Sequence, residues 1–245
     1  MKQRLLQSFF IMPLIIGIFA QPFLHASGNS EVGTGTLTTG ADGITQNSKD
    51  QFRLGWAYER GEGVPRSYEQ AGIWYRKSAD QGNPQAMHNL GVLLLLGMGT
   101  QKDAVAGYLW IRKAAEAGDP ASAFLTGKLL LKGVGVPRNT QEAVSWLRKA
   151  ADAGNADALA RLGQDTYFGD DGIKKDPKAA LPLIRAAAEK GNRWACDTMG
   201  ILYIRGELVP KDLRTANSWL IRGSHAGPPS LPPVTPPALQ QEGPR

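Results

Sequence analysis

Small and apolar residues recur along most of this chain at a fixed spacing of 36 positions, stretched once to 37. Gly55, Gly91, Gly127, Gly163 and Gly200 mark one beat. Gly61, Gly97, Gly133, Gly169 and Gly206 mark a second, and Gly82, Gly118, Gly154, Gly191 and Gly227 a third. Trp74, Trp110, Trp146 and Trp219 share a slot that Leu183 fills in the fourth unit. A period of this size marks a stacked repeat array. No unit can bury its apolar face alone, so neighbours build one nearly one-dimensional core.

The third unit, residues 122–155, shows the elements. Ala123, Thr126, Gly127 and Leu130 fall on one face of a helix predicted over 122–132. Gly127 is small where two helices must approach closely. Gly133 and Gly135 end the helix and permit positive φ in the loop. Asn139 then stands where a second helix needs a cap, with Glu142 at the spacing of a capping box. That helix is predicted over 140–152, burying Ala143, Trp146, Leu147 and Ala150, with Gly154 closing it. The cap slot repeats as Ser67, Asp103, Asn139, Asp176 and Asp212, all residues able to accept from free amides. Pro177 suits the first helical position of the fourth unit. Pro182 falls in mid-helix, where it removes a hydrogen bond and predicts a kink. The extra residue of that unit lies in the charged loop 169–176, so the fourth unit is expected to be the weak joint.

These residues carry a resemblance. LGWAYERGEGVP followed by AGIWYRKSADQGN in the first unit, and GVGVP followed by AVSWLRKAADAGN in the third, resemble the Sel-1-like repeat, a relative of the tetratricopeptide repeat. The resemblance covers residues 50–227 as five repeats of 36–37 residues. It implies an all-α fold, a right-handed superhelical solenoid of antiparallel helix pairs. It also implies an adaptor role in assembling complexes, often at the bacterial envelope. Three positions depart from the pattern: Gly107 for the second-helix alanine, Thr126 for the leucine before the glycine, and Pro182. A cysteine-rich branch of the family is linked to penicillin binding. Cys196 is the only cysteine here, so that link does not transfer.

The flanks differ from the repeats. Lys2 and Arg4 precede an apolar run from about Leu5 to Ala20, and small residues follow at Ala20, Ala26 and Ser27. This has the form of a secretory signal over 1–26 with cleavage near Ala26, giving a periplasmic or secreted protein. The run is shorter than the ~20 residues of a membrane span, which leaves an uncleaved anchor as the alternative. Residues 27–49 read as a Gly/Thr/Ser-rich linker, and 228–245 as a Pro-rich, extended tail. Net charge is +6, and Lys2 and Arg4 are the only charged residues in 1–26, so cleavage leaves +4. That mild excess does not call for nucleic acid. Membrane contact would come through a partner or an uncleaved signal.

No catalytic constellation emerges. His88 and His225 fall at unrelated repeat positions, and no His/Cys/Asp cluster has metal-ligand spacing. No cofactor is implied. Asp170, Asp171 and Asp176 miss the spacing of a calcium loop. Cys196 shares a core slot with Met87, Ala123 and Leu159 and reads as a small buried hydrophobe.

The functional signal is a stripe on the outward face of the first helices, at −2, +1 and +5 from each marker glycine. Arg53, Trp56, Arg60, Asn89, Leu96, Lys128, Lys132, Arg161, Gln164, Phe168 and Arg205 are its candidate partner-binding residues. Six are basic and none is acidic. With Trp56 and Phe168 among them, the stripe predicts a basic concave groove for an acidic or extended protein segment. Three alternatives stay open: a periplasmic regulator of a membrane sensor kinase, a binder of cell-wall or exopolysaccharide glycan, and a penicillin-interacting hydrolase.

Overall fold

A computed structural model describes residues 47–224. The signal, nearly all of the linker and the Pro-rich tail read from the sequence lie outside the described residues. Those described form ten helices and no strand. They alternate as first and second helices of five repeats: α1 (Ser48–Arg60) and α2 (Tyr68–Asp80), α3 (Pro84–Leu96) and α4 (Ala104–Glu116), α5 (Pro120–Lys132) and α6 (Thr140–Asp152), α7 (Ala156–Phe168) and α8 (Pro177–Glu189), α9 (Arg193–Arg205) and α10 (Leu213–Ser224). Each helix packs chiefly on the one before and the one after it.

Local chemistry explains the punctuation. Ser67, Asp103, Asn139 and Asp176 each accept from the backbone N–H three residues on, and Asp212 accepts from those of Arg214 and Thr215. The first helices are capped as regularly, by Asn47, Asn83, Asp119, Asn155 and Asn192. Asn47 starts α1 at Ser48, inside the segment read as linker. The predicted capping box is not formed. The Asn139 N–H donates to the Leu130 carbonyl, and Glu142 instead accepts from Asn139 Nδ2 at 3.3 Å and Trp146 Nε1 at 3.4 Å.

Each loop within a helix pair is held at both ends by backbone. It opens at a left-handed glycine (Gly61, Gly97, Gly133, Gly169 or Gly206) whose N–H returns to the preceding helix. It closes where the cap residue's N–H reaches back to Tyr58, Leu94, Leu130, Thr166 or Tyr203. The reach is nine residues in four repeats and ten in the fourth, so the extra residue is absorbed without moving the register.

The marker glycines are where paired helices nearly touch. A Cβ on Gly55 would lie 2.6 Å from Tyr75, and one on Gly127 2.9 Å from Leu147; Gly163 and Gly200 are as tight. Buried side chains form two clusters that divide at Leu94 and Leu95 on α3. The slot that carries the core across a helix pair is alanine in Ala71, Ala143, Ala180 and Ala216, but glycine at Gly107, and the division falls there. Cys196 is fully buried, its thiol 3.4 Å from the Ala188 carbonyl, and burial pushes its pKa up.

Pro182 does not break α8, which has the same 13 residues as α2, α4 and α6. Pro182 and Lys178, whose carbonyl loses its helical donor, are both exposed, so water can take the vacant bond.

Candidate partner-binding face

All fifteen outward positions of the first helices are exposed or half-buried, although two of them, Val92 and Leu125, pack against the core. The capped starts and glycine stops give the five helices equal length, so the same face recurs in each. Trp56 and Phe168 are 37% and 41% exposed. Asn89, Leu96 and Gln164 are half-buried. Arg53 also lines a cleft of about 490 Å³ with Lys49 and Phe52 of α1 and Gln81, Asn83 and Gln85 of the next turn.

The basic residues fall into two groups. Arg53 lies 3.5 Å from Asp50, Arg60 3.6 Å from Glu62, and Arg205 3.9 Å from Glu207. Arg161 is the most strongly held. Its Nε donates to Asp165 at 3.0 Å and a terminal nitrogen donates to Asp171, which ties the long loop of the fourth repeat to α7. Lys128 and Lys132 make no ion pair among the described residues. Lys128 lies with Nζ 5.0 Å from the Phe124 ring centre. Burial lowers its pKa, as do the charges of Lys132 and, on the next repeat, Arg161; Asp157 opposes them. The stripe's unneutralised charge is therefore concentrated on the third repeat.

The aromatic residues are also differentiated. Arg60 stands over the Trp56 ring at 4.4 Å. Tyr167 packs edge-on to Phe168 at 5.0 Å. On the second helices Trp146 and Trp219 are buried, while Trp74 and Trp110 are half-buried. Lys77, Lys113 and Lys149, each three residues on, stand over the Trp74, Trp110 and Trp146 rings at 4.1, 4.6 and 4.2 Å. The lysine of W-x-x-K thus shields the indole from water. This role went unread in the sequence, although the W-x-x-K spacing carries it.

One polar cluster joins the second and third repeats. Ser122 Oγ lies 2.7 Å and Asp119 Oδ2 3.8 Å from the same ring nitrogen of His88, Nδ1. Ser122 is fully buried, and its N–H is capped by Asp119 at 2.7 Å. The cluster joins α3 to the start of α5. Among the described residues no group of three or more His, Cys, Asp or Glu could hold a metal ion, and no helix is long and apolar enough to cross a membrane. Asp171 is engaged by Arg161 and Asp176 by the start of α8.

An all-α array whose short capped helices repeat one face, and pack chiefly on sequence neighbours, is the architecture of a repeat scaffold. A comparison with protein families matches the Sel1 repeat over residues 48–83, 84–119, 120–155, 156–192 and 195–228, and the chain belongs to that family. Among solved structures, a Sel1 repeat protein from Oxalobacter formigenes is 34% identical, with 73% of this chain and 72% of that one covered and a TM-score of 0.69. The protective antigen c5321 of uropathogenic Escherichia coli, which displays an SLR fold, is 32% identical over 72% of this chain at a TM-score of 0.66. The match spans 38% of that longer protein. Immunity protein Pa5087 of Pseudomonas aeruginosa, 24% identical over 75% of this chain and 67% of that one with a TM-score of 0.52, shares the fold. Comparison with curated proteins gives no match. Sel1 repeat proteins generally mediate protein–protein interaction, and the family is typically a non-enzymatic scaffold.

Proposed function

We propose that this protein is an exported adaptor of the bacterial envelope that holds an extended, acidic segment of a protein partner along the outward stripe of its first helices. The observation that carries the reading is the pair Lys128 and Lys132, adjacent cations of the outward stripe that make no ion pair among the described residues. Exposed Trp56 and Phe168 flank them along the chain and supply apolar area. The paired arginines add little by themselves, since exposed ion pairs are worth ~0–1 kcal/mol, but they can exchange a loop carboxylate for one from a ligand. Export rests on Lys2, Arg4 and the apolar run that follows.

The test uses the full chain as bait. Expressed in a bacterial host, cross-linked in envelope extract and analysed by mass spectrometry, it should capture a protein through an acidic extended segment. The double variant Lys128→Glu, Lys132→Glu should lose that protein, and the mature N-terminus should lie near Ser27. Capture undiminished in the variant would overturn the groove. Intact Met1 on soluble cytoplasmic protein would overturn export.

A further inference from the structure

Loops within the helix pairs carry carboxylates back to the stripe. The residue after the glycine that opens each loop is Glu62, Met98, Val134, Asp170 and Glu207 along the five repeats. Glu62 and Glu207 return to Arg60 and Arg205, the last residues of α1 and α9, in pairs open to water. The fourth repeat is built differently. Asp171, not Asp170, turns in to the stripe and meets Arg161. The Ile173 N–H donates to the Asp170 carbonyl at 2.9 Å, with Asp171 and Gly172 at φ 50° and 74°, so a tight turn sets Asp171 at its corner. Aspartate is among the residues that tolerate this region. Ile173 packs against the core and fixes the far side of the turn. The Asp171 side chain is only 14% exposed against an Arg161 that keeps 37%.

Arg161 serves two carboxylates at once, Asp165 through Nε and Asp171 through a terminal nitrogen. Burial, and after it the charges of Asp171 and Asp170, raise the Asp165 carboxyl against the pull of the guanidinium. Asp171 is the partner that Arg161 can lose. Asp165 is fixed on α7 itself, whereas Asp171 hangs on a loop whose ends are tied by main chain, Gly169 to Asp165 at 2.8 Å and Asp176 to Thr166 at 2.7 Å. Neither tie involves its side chain.

We propose that Asp171 is a built-in competitor for the partner's carboxylate: it occupies Arg161 until an acidic residue of the bound segment takes its place, and the turn then leaves α7 while both loop anchors stay. This rests on the reading of the stripe as a groove for an acidic segment. Lys128 and Lys132, on the preceding repeat, are its open end, near enough to Arg161 that the guanidinium charge helps depress Lys128. A segment that lands on these lysines gains Arg161 only by displacing Asp171. The groove thereby selects a chain with a second carboxylate further along and discriminates against an isolated acid.

The probe is a fluorescein-labelled oligoglutamate peptide, titrated against the full chain at low salt and followed by anisotropy. Asp171→Asn keeps the shape and tolerates the same φ. It should bind the peptide about fivefold more tightly than wild type, the scale of one partly exposed ion pair. Asp170→Asn removes the same charge from the exposed neighbour and should change affinity by less than about twofold. The gain from Asp171→Asn should vanish in an Arg161→Gln background. Saturating peptide should speed amide exchange at Ile173 and leave Gly169 and Asp176 unchanged. Equal gains from the two aspartates, or a gain that survives Arg161→Gln, would mean a general field effect and overturn the competitor. If Lys128→Glu with Lys132→Glu abolishes binding while Asp171→Asn binds like wild type, the competitor is wrong and the groove stands. A peptide bound by neither wild type nor Asp171→Asn, or bound undiminished by the lysine variant, overturns both.

Discussion

Gly91 and Gly107 meet backbone to backbone where α3 crosses α4. A Cβ on Gly91 would lie 2.8 Å from the Gly107 carbonyl oxygen, and one on Gly107 would lie 2.9 Å from that of Gly91 and 2.8 Å from Leu95. The alanine usual at this slot therefore cannot be restored in the second repeat without pushing the helices apart. Gly107→Ala should destabilise the chain by ~1–3 kcal/mol, the scale of overpacking, although alanine is the better helix former by roughly 1 kcal/mol. Urea denaturation measures the sign: a gain in stability would mean that the helix pair yields freely.

Thr126 is the opposite case, a departure that leaves something unmade. Its side chain is fully buried in α5, and its hydroxyl has no hydrogen-bond partner among the described residues. An unsatisfied buried polar group costs about 1–3 kcal/mol. Thr126→Val keeps the shape and removes the hydroxyl, so it should raise stability by ~1 kcal/mol. A lower melting temperature would show that the hydroxyl is satisfied in solution.

Asp165 should leave a signature in the pH dependence of stability. It is buried beneath Arg161, and burial, outweighing the guanidinium, pushes its carboxyl up to about 6. The unfolded chain releases that proton near the ordinary ~3.9. The contribution is thus complete below about pH 4 and lost as pH rises through about 6. His88 acts with the opposite sign. Burial holds its imidazole below the usual value despite Asp119 and Glu59, so stability is lost as pH falls below ~6.5. Asp165→Asn removes the first effect and leaves the second. Its stability should fall more steeply than wild type between about pH 6 and pH 4, followed by denaturation at several pH values. Parallel profiles would place the Asp165 proton outside this range.

Along the proposed groove, charge and aromatic area should separate kinetically. Once a partner segment is in hand, Lys128→Glu with Lys132→Glu should lower its on-rate and flatten the salt dependence. Reversal of Arg53 and Arg205, which carry their own carboxylates, should do less. Trp56→Ala should mainly raise the off-rate. Melting temperatures should stay near wild type, since these side chains lie outside the core. Equal effects from the arginine and lysine pairs would indicate diffuse attraction in place of a focus on the third repeat.

Much of the fold was legible because its signals are local. The glycine beats, the caps of the second helices, the bounds of α6 and the close approach at Gly127 all follow from short-range geometry. The caps of the first helices were overlooked because Asn83, Asp119, Asn155 and Asn192 directly follow the glycine that closes the previous unit, and read as part of that closure. Pro182 misled for a different reason. Periodicity places it inside a helix, whereas its cost depends on whether the freed carbonyl faces water. The stripe was legible as a set of positions but not as a charge distribution. Glu62, Asp171 and Glu207, which pair with its arginines, stand in loops past the helix ends, where a helical wheel does not reach.

The loops between paired helices are anchored by main-chain bonds that read no side chain, and the fourth shows that an added residue leaves both anchors in place. Loop length and sequence are thus insulated from helix register. Foreign segments inserted between Gly169 and Asp176 should be carried as passengers, which makes this loop a natural display site and gives divergence room to alter one edge of the array while the helices stay fixed.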